Sequence, residues 1–175
     1  MLAIRLVRSI EAHCEALSLE LTEQIHKSSR TTDFRRIPPK DLQMAAAEVY
    51  RNLGEWLLQK TETEIARYFK AVAAQRSDQG ISLHQLIWAL ILTRDHLRHF
   101  LRREGLVDNI VVLHGELELH QLLDQFFDRA LYYAVLGYEE ARGETASRPR
   151  RTRRMPGSVP QGAPLRALFA KSDEV

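Results

Sequence analysis

"LHQLIWALILTRDHLRHFL", Leu83 to Leu101, decides what kind of fold this chain makes. Leu83, Leu86, Ile87, Leu90, Ile91, Leu97, Phe100 and Leu101 recur three or four residues apart, which lines one face of an α-helix and fits no strand. Its uncharged apolar run, Leu86 to Thr93, is far short of the roughly 20 residues needed to cross a bilayer. The stretch reads as a core helix and not as a membrane span. Arg94 shares the apolar stripe. A guanidinium there is costly unless paired, so Arg94 is a candidate buried charge with an acid or backbone carbonyls waiting for it. The alternative is a side chain that snorkels to the helix edge.

Outward from this helix the same period continues. On its N-terminal side, Gly80 breaks the pattern and Ser82 with Gln85 has the spacing of a capping box. Thr61 with Glu64 has it too, opening a helix with Ile65, Phe69, Val72 and Ala73 inward. Pro39 and Asp41 suit a first helical turn, and Leu42, Ala46, Val49, Leu53, Trp56 and Leu57 form the face that follows. The first helix carries Ala3, Val7, Ile10, Cys14, Leu17, Leu21 and Ile25 on one stripe. Downstream, Gly105 is a stop, Asp108 or Asn109 a cap, and a last helix runs from about Ile110 to Ala141, with Leu113, Leu123, Phe126, Phe127 and Tyr138 among its apolar positions. No stretch alternates with period two. The expectation is an all-α, five-helix, bundle-like or globin-like domain over residues 1–144.

After Glu144 the composition turns to Ser, Pro, Gly and Arg. Residues 145–175 are expected to form a disordered basic tail, with Arg148, Arg150, Arg151, Arg153 and Arg154 inside seven residues. The formal net charge of +2 hides this asymmetry. From residue 139 onward eight basic residues face five acidic ones, which leaves 17 against 18 in the body. A near-neutral body lacks the basic stripe of a nucleic-acid-binding domain, so no specific nucleic-acid binding is expected. The tail suits an electrostatic tether or a solubilising segment. Arg5 and Arg8 interrupt the N-terminal apolar stretch, so a secretory signal fits poorly and a cytoplasmic location is expected. The single cysteine, Cys14, reads as a small buried hydrophobe.

Seven histidines invite a metal reading. Glu23 and His26 form one E-x-x-H pair, where a di-iron bundle needs two pairs and further glutamates. His96 with His99, and His114 with His120, close no four-ligand set. Neither a phosphate-binding glycine loop nor a G-x-S-x-G turn occurs. No cofactor is expected, and the chain is read as non-enzymatic.

The most idiosyncratic residues sit in a link, "TTDFRRIPPKDLQ", Thr31 to Gln43. Thr32 or Asp33 can make a local side-chain turn, Phe34 can plug the core, and Pro38 and Pro39 set the approach to the next helix. Arg35 and Arg36 have no role in that scheme. Asp33 is a candidate partner for Arg94. Taken together, "TDFRRIPPKDL" (Thr32 to Leu42), "YFKAVAAQRSDQGISLHQLIWALILTRDHL" (Tyr68 to Leu97) and "FFDRALYYAVLGYEEA" (Phe126 to Ala141) resemble the RsbRD-type N-terminal domain of RsbT co-antagonist proteins, the sensory half of stressosome-type bacterial signalling proteins. The resemblance covers about residues 2–144. It implies an all-helical, globin-like or bundle-like sensor for stress signalling that dimerises and passes a signal through its final helix to an output domain, with an unidentified signalling partner protein.

Two functional expectations follow. One is a non-enzymatic sensory or protein-interaction module acting as a homodimer. The last helix carries apolar residues over more than the roughly 100° stripe that one-sided packing needs, so its surplus, with Tyr132, Tyr133 and Leu136 as the outward set, would meet a second copy or the body's other helices. The other is a small-ligand or cofactor carrier with a pocket lined by Trp56, Tyr68, Phe69 and Trp88.

Overall fold

The computed structural model describes residues 2–58, 61–104 and 110–147, with backbone alone at 2, 3, 6, 58, 104, 110–116 and 144–147. Among the described residues there are seven α-helices and no strand. They are α1 (Leu2–Ala12), α2 (Cys14–Lys27), α3 (Pro39–Arg51), α4 (Leu53–Leu58), α5 (Glu62–Asp78), α6 (Leu83–Glu104) and α7 (Ile110–Ser147), and a 3-10 turn at Thr32–Arg36 joins α2 to α3. The expected stop at Gly105, the cap at Asp108 or Asn109, and the basic tail with Arg148 to Arg154 lie outside the described residues; the side chains of Ala3, Leu113 and His114 do too.

Five rods are present as the period predicts, but two of them are each broken once. The first breaks at His13 and the second at Asn52, and the two breaks share a feature. His13 Nδ1 bonds the carbonyl of Ser9 at 2.7 Å, and Asn52 Nδ2 donates to the carbonyl of Glu48 at 2.8 Å. The same bond at Thr22 and Thr93 leaves α2 and α6 unbroken, so it accompanies each break without being its sole cause.

The start and stop signals divide differently. Thr61 and Glu64 form the capping box, each side chain accepting from the other's backbone N–H. Gly80 ends α5 at φ +74°, with Ile81 N–H bonded to Arg76 O and Gly80 N–H to Ser77 O, both at 3.0 Å. This is a Schellman stop whose following residue, Ile81, is fully buried. Ser82 and Gln85 make no capping box with one another. Their side chains reach instead to the link before α3. Asp33 Oδ2 accepts from Ser82 N at 3.1 Å and Ser82 Oγ at 2.6 Å, and Gln85 Oε1 accepts from Asp33 N at 2.7 Å. The carboxylate thereby caps α6 from a distant part of the chain, and these bonds hold its pKa below the ordinary range.

The link is consequently a local 3-10 turn whose side chains also clamp distant segments. Phe34 plugs the core at 2% exposure. Thr31 Oγ1 donates to Ile25 O, Arg35 Nε to His26 O at the end of α2, and Arg36 Nη1 to Gly80 O in the α5–α6 turn. Both arginines thus satisfy carbonyls at helix ends. From the other side Tyr138 of α7 donates its hydroxyl to Ile81 O at 2.8 Å.

α7 is the central helix, packed most extensively against α5 and then against α6 and α1. Leu119, Leu123, Phe126, Phe127, Ala130, Ala134 and Tyr138 are all buried. Most of the apolar surplus on α7 is therefore spent inside the chain. Leu117 and Tyr132 are left exposed at 53% and 61%, while Tyr133 packs partly on the core and donates to Glu62 at 2.7 Å. Leu136 is half-buried. Of the three expected outward residues, Tyr132 alone is fully outward.

The α5–α7 contact is close where α7 presents Gly137. A Cβ built on Gly137 would lie 2.5 Å from Lys70 Cα and 2.6 Å from Lys70 O. Backbone atoms cannot swing aside, so Gly137→Ala should force the helices apart and destabilise by about 1–3 kcal/mol. Gly143 lies further along the same helix with nothing within 4 Å of the corresponding position. Gly143→Ala should be neutral or stabilise by up to about 1 kcal/mol through helix propensity. Urea unfolding of the two variants checks the opposite signs.

Candidate functional site

Four positions that the helical period assigns to the core, Ala46, Val49, Val72 and Leu90, are only half-buried. All four line one cavity of about 330 Å³. Its walls are α3 (Ala45, Ala46, Val49), α5 (Ala71, Val72) and α6 (Leu86, Ala89, Leu90), and it is floored by Leu21, Ile25, Phe34, Phe69 and Phe127. α3 and α5 barely approach one another. The small side chains at positions 45, 46, 71 and 89 leave between them the space that larger residues would fill. Volume and apolar lining are those of a small-molecule site.

The polar groups at the cavity are few. Tyr68, Gln75, Arg76, Glu48 and Thr93 reach its wall. Thr93 is occupied by Ala89 O at 2.8 Å. The Tyr68 hydroxyl has no hydrogen-bond partner among the described residues, and burial pushes its pKa up to about 12, with Glu48 adding to the shift and Arg76 opposing it. Arg76 is the one buried arginine among the described residues, 7% exposed. It donates to Gln79 Oε1 at 2.7 Å, and no carboxylate lies within ion-pair reach of it among the described residues. Burial lowers its pKa, countered by Tyr68 and by Asp41. Ala45, Glu48, Gln75 and Arg76 also border a second, larger and more polar groove of about 700 Å³ lined by Lys40, Asp41 and Arg51. Arg76 therefore stands where the apolar cavity meets a polar mouth.

Of the pocket residues expected from sequence, Tyr68 and Phe69 line the cavity, whereas Trp56 and Trp88 do not. Trp56 belongs to an edge-to-face cluster beside it, 4.4 Å from Tyr68 and 5.9 Å from both Phe69 and Phe126. Trp88 lies on the far side of α6, under the Arg30 guanidinium at 4.2 Å. Sequence reasoning missed Arg76, although a signal existed. Arg76 lies seven residues after Phe69, on the stripe of Ile65, Phe69, Val72 and Ala73, as Arg94 does on α6.

Arg94 itself is not deeply buried. Its side chain is 22% exposed and faces Asp95 at 3.7 Å and Asp128 at 3.9 Å, both exposed, while Nε finds no acceptor. Asp33, the candidate partner, is engaged by Ser82 and, at 3.7 Å, by Arg36. The snorkelling alternative describes Arg94 better, because α6 has its rim there.

Two of the three pairs, Glu23 with His26 and His96 with His99, lie among the described side chains and are separated. Glu23 binds Lys27 at 2.8 Å and not His26. His99 is exposed, whereas His96 turns inward, with Nδ1 3.2 Å from the Tyr50 hydroxyl and Nε2 3.2 Å from Glu20. Tyr50 is fully buried, and burial raises its pKa far above the usual phenol range. Burial likewise lowers the pKa of His96 from 6.5, outweighing the Glu20 carboxylate that favours its charged form. Among the described residues no three His, Cys, Asp or Glu side chains gather within metal-binding reach, and no helix is long and apolar enough to cross a membrane.

Comparison with family models, with curated proteins and with solved structures gives no match to this chain.

Two outcomes are expected. With its partners exposed, Arg94→Ala should cost less than about 1 kcal/mol in urea unfolding. For His96 the unfolded chain takes the proton first as pH falls below its ordinary value of 6.5. The stability drawn from the neutral ring is complete above that pH and is lost as pH falls through the depressed folded value. The urea midpoint should therefore fall more steeply between about pH 7 and pH 5 in the unmodified protein than in His96→Gln.

Proposed function

We propose that this chain is a non-enzymatic sensory module that takes a small molecule into the cavity between α3, α5 and α6 and passes its occupancy on through α7. One observation carries the reading. The cavity floor includes Phe127 of α7, and the same helix carries Leu117 and Tyr132 exposed on its solvent side. A ligand against Phe127 touches the helix that packs on α5, α6 and α1, so a shift of α7 re-presents its outer surface. The polar groups at the cavity include the donors of Arg76 and Tyr68, the amide of Gln75 and one exposed carboxylate, Glu48, a set that orients a ligand.

The partner we assign to α7 is a second copy of the chain, related by a two-fold axis, with Tyr132 at the centre and the half-buried Leu136 at its edge. The resemblance to RsbRD-type N-terminal domains supports this arrangement and a signalling partner beyond it. The cavity equally suits a small-ligand carrier, which would bind without any change in self-association.

Sedimentation equilibrium separates these readings. The unmodified protein should be dimeric at about 10–50 µM, and Tyr132→Glu should be a folded monomer, since an exposed tyrosine can be replaced without touching the core. A monomeric unmodified protein removes the dimer. A dimer whose dissociation constant is unchanged when the cavity is filled makes the chain a carrier and not a sensor.

A further inference from the structure

The cavity described above leaves open what chemistry it selects, and its buried cation decides that question. Of the five N–H donors of a guanidinium, Arg76 uses one, toward Gln79. A charge 7% exposed with no carboxylate in ion-pair reach among the described residues is an expensive arrangement for stability alone. On the neighbouring helix α3, Asp41, whose charge acts on Arg76, and Glu48, which lines the same cavity, are both exposed. They soften the positive potential without satisfying the donors. The Tyr68 hydroxyl, also on the wall and also without a partner among the described residues, adds a second donor.

Resting on the sensory reading of the cavity, we infer that its ligand is an amphipathic monocarboxylate, with the carboxylate on the Arg76 guanidinium and the Tyr68 hydroxyl and the hydrocarbon between α3 and α6. A guanidinium matches a carboxylate with two parallel N–H bonds, and the apolar wall of Val49, Val72 and Leu90 matches a hydrocarbon. Size follows from volume. At about 30 Å³ for a water-sized group, the cavity holds on the order of ten non-hydrogen atoms, the size of a medium-chain carboxylate. The polar groove beyond Arg76 provides the route for the charged end and its departing water.

Isothermal titration calorimetry of the full chain with octanoate, 1-octanol and octylammonium tests this. Octanoate should bind about tenfold or more tightly than octanol, because a charge-assisted hydrogen bond distinguishes them. Arg76→Gln should remove that preference, weakening octanoate about tenfold or more and octanol by much less. Tyr68→Phe, which keeps the ring, should weaken octanoate several-fold and serves if Arg76→Gln does not fold. Equal binding of octanoate and octanol, tighter binding of octylammonium, or unchanged octanoate affinity in the Arg76→Gln protein overturns the carboxylate assignment while leaving the cavity as a ligand site. Binding of none of the three probes overturns both the assignment and the sensory reading on which it rests.

Discussion

The rest of the structure depends on one carboxylate. Asp33 lies in the link before α3, yet it accepts both the backbone N–H and the hydroxyl of Ser82 at the start of α6. A helix start has unsatisfied N–H groups and a partial positive charge, so an anion there is worth more than the same anion on a flat surface. Arg36 of the same link donates to Gly80 O, and Tyr138 of α7 donates to Ile81 O, so that the turn is also held from a second element. Two segments far apart in the chain, the link and α7, thus converge on residues 80–82. Gly80 makes that possible, since its positive φ ends α5 sharply enough to leave the turn's carbonyls facing outward.

That clamp has a consequence for the interior. The link holds α2 and α3 at one end of α6, while the Gly137 contact draws α5 tightly onto α7. The helices α3 and α5 are each fixed to other partners and are not free to collapse on one another. With alanine at 45, 46, 71 and 89 the space between them stays open. A cavity of this kind forfeits packing energy, and a buried arginine at its edge adds a desolvation cost. Such local conflicts with stability concentrate where a protein binds something.

The two inward-facing histidine and arginine sites differ in kind. His96 is enclosed between Tyr50 and Glu20, with an interaction at each ring nitrogen, and its neutral form is the one burial favours. It is part of the core. Arg76 has donors to spare beside open volume. The histidine is consistent with a structural role, and the arginine with a recognition role.

Spacing alone determined the all-α class, five rods, the stripes of Val7 to Ile25 and of Ile65 to Ala73, the capping box at Thr61 and the stop at Gly80. Each of these rests on interactions within four or five residues, which the local order of side chains specifies. The bonds of His13 and Asn52 that accompany the two breaks were hidden because a side chain's choice between solvent and the carbonyl four residues back depends on what packs outside it. Ser82 and Gln85 have the spacing of a capping box, but only the arrival of Asp33 from another segment decided where their hydrogen bonds go. Tyr68 and Phe69 were legible as pocket residues, whereas Trp88 could not be told from them, because hydrophobicity names a buried face without naming the neighbour across it. Arg94 and Arg76 occupy equivalent stripe positions on their own helices. Only the packing of α3 beside α5 put Arg76 at a cavity and Arg94 at a rim, since the energy of a charge is set by the volume and dielectric around it and not by its place in the chain.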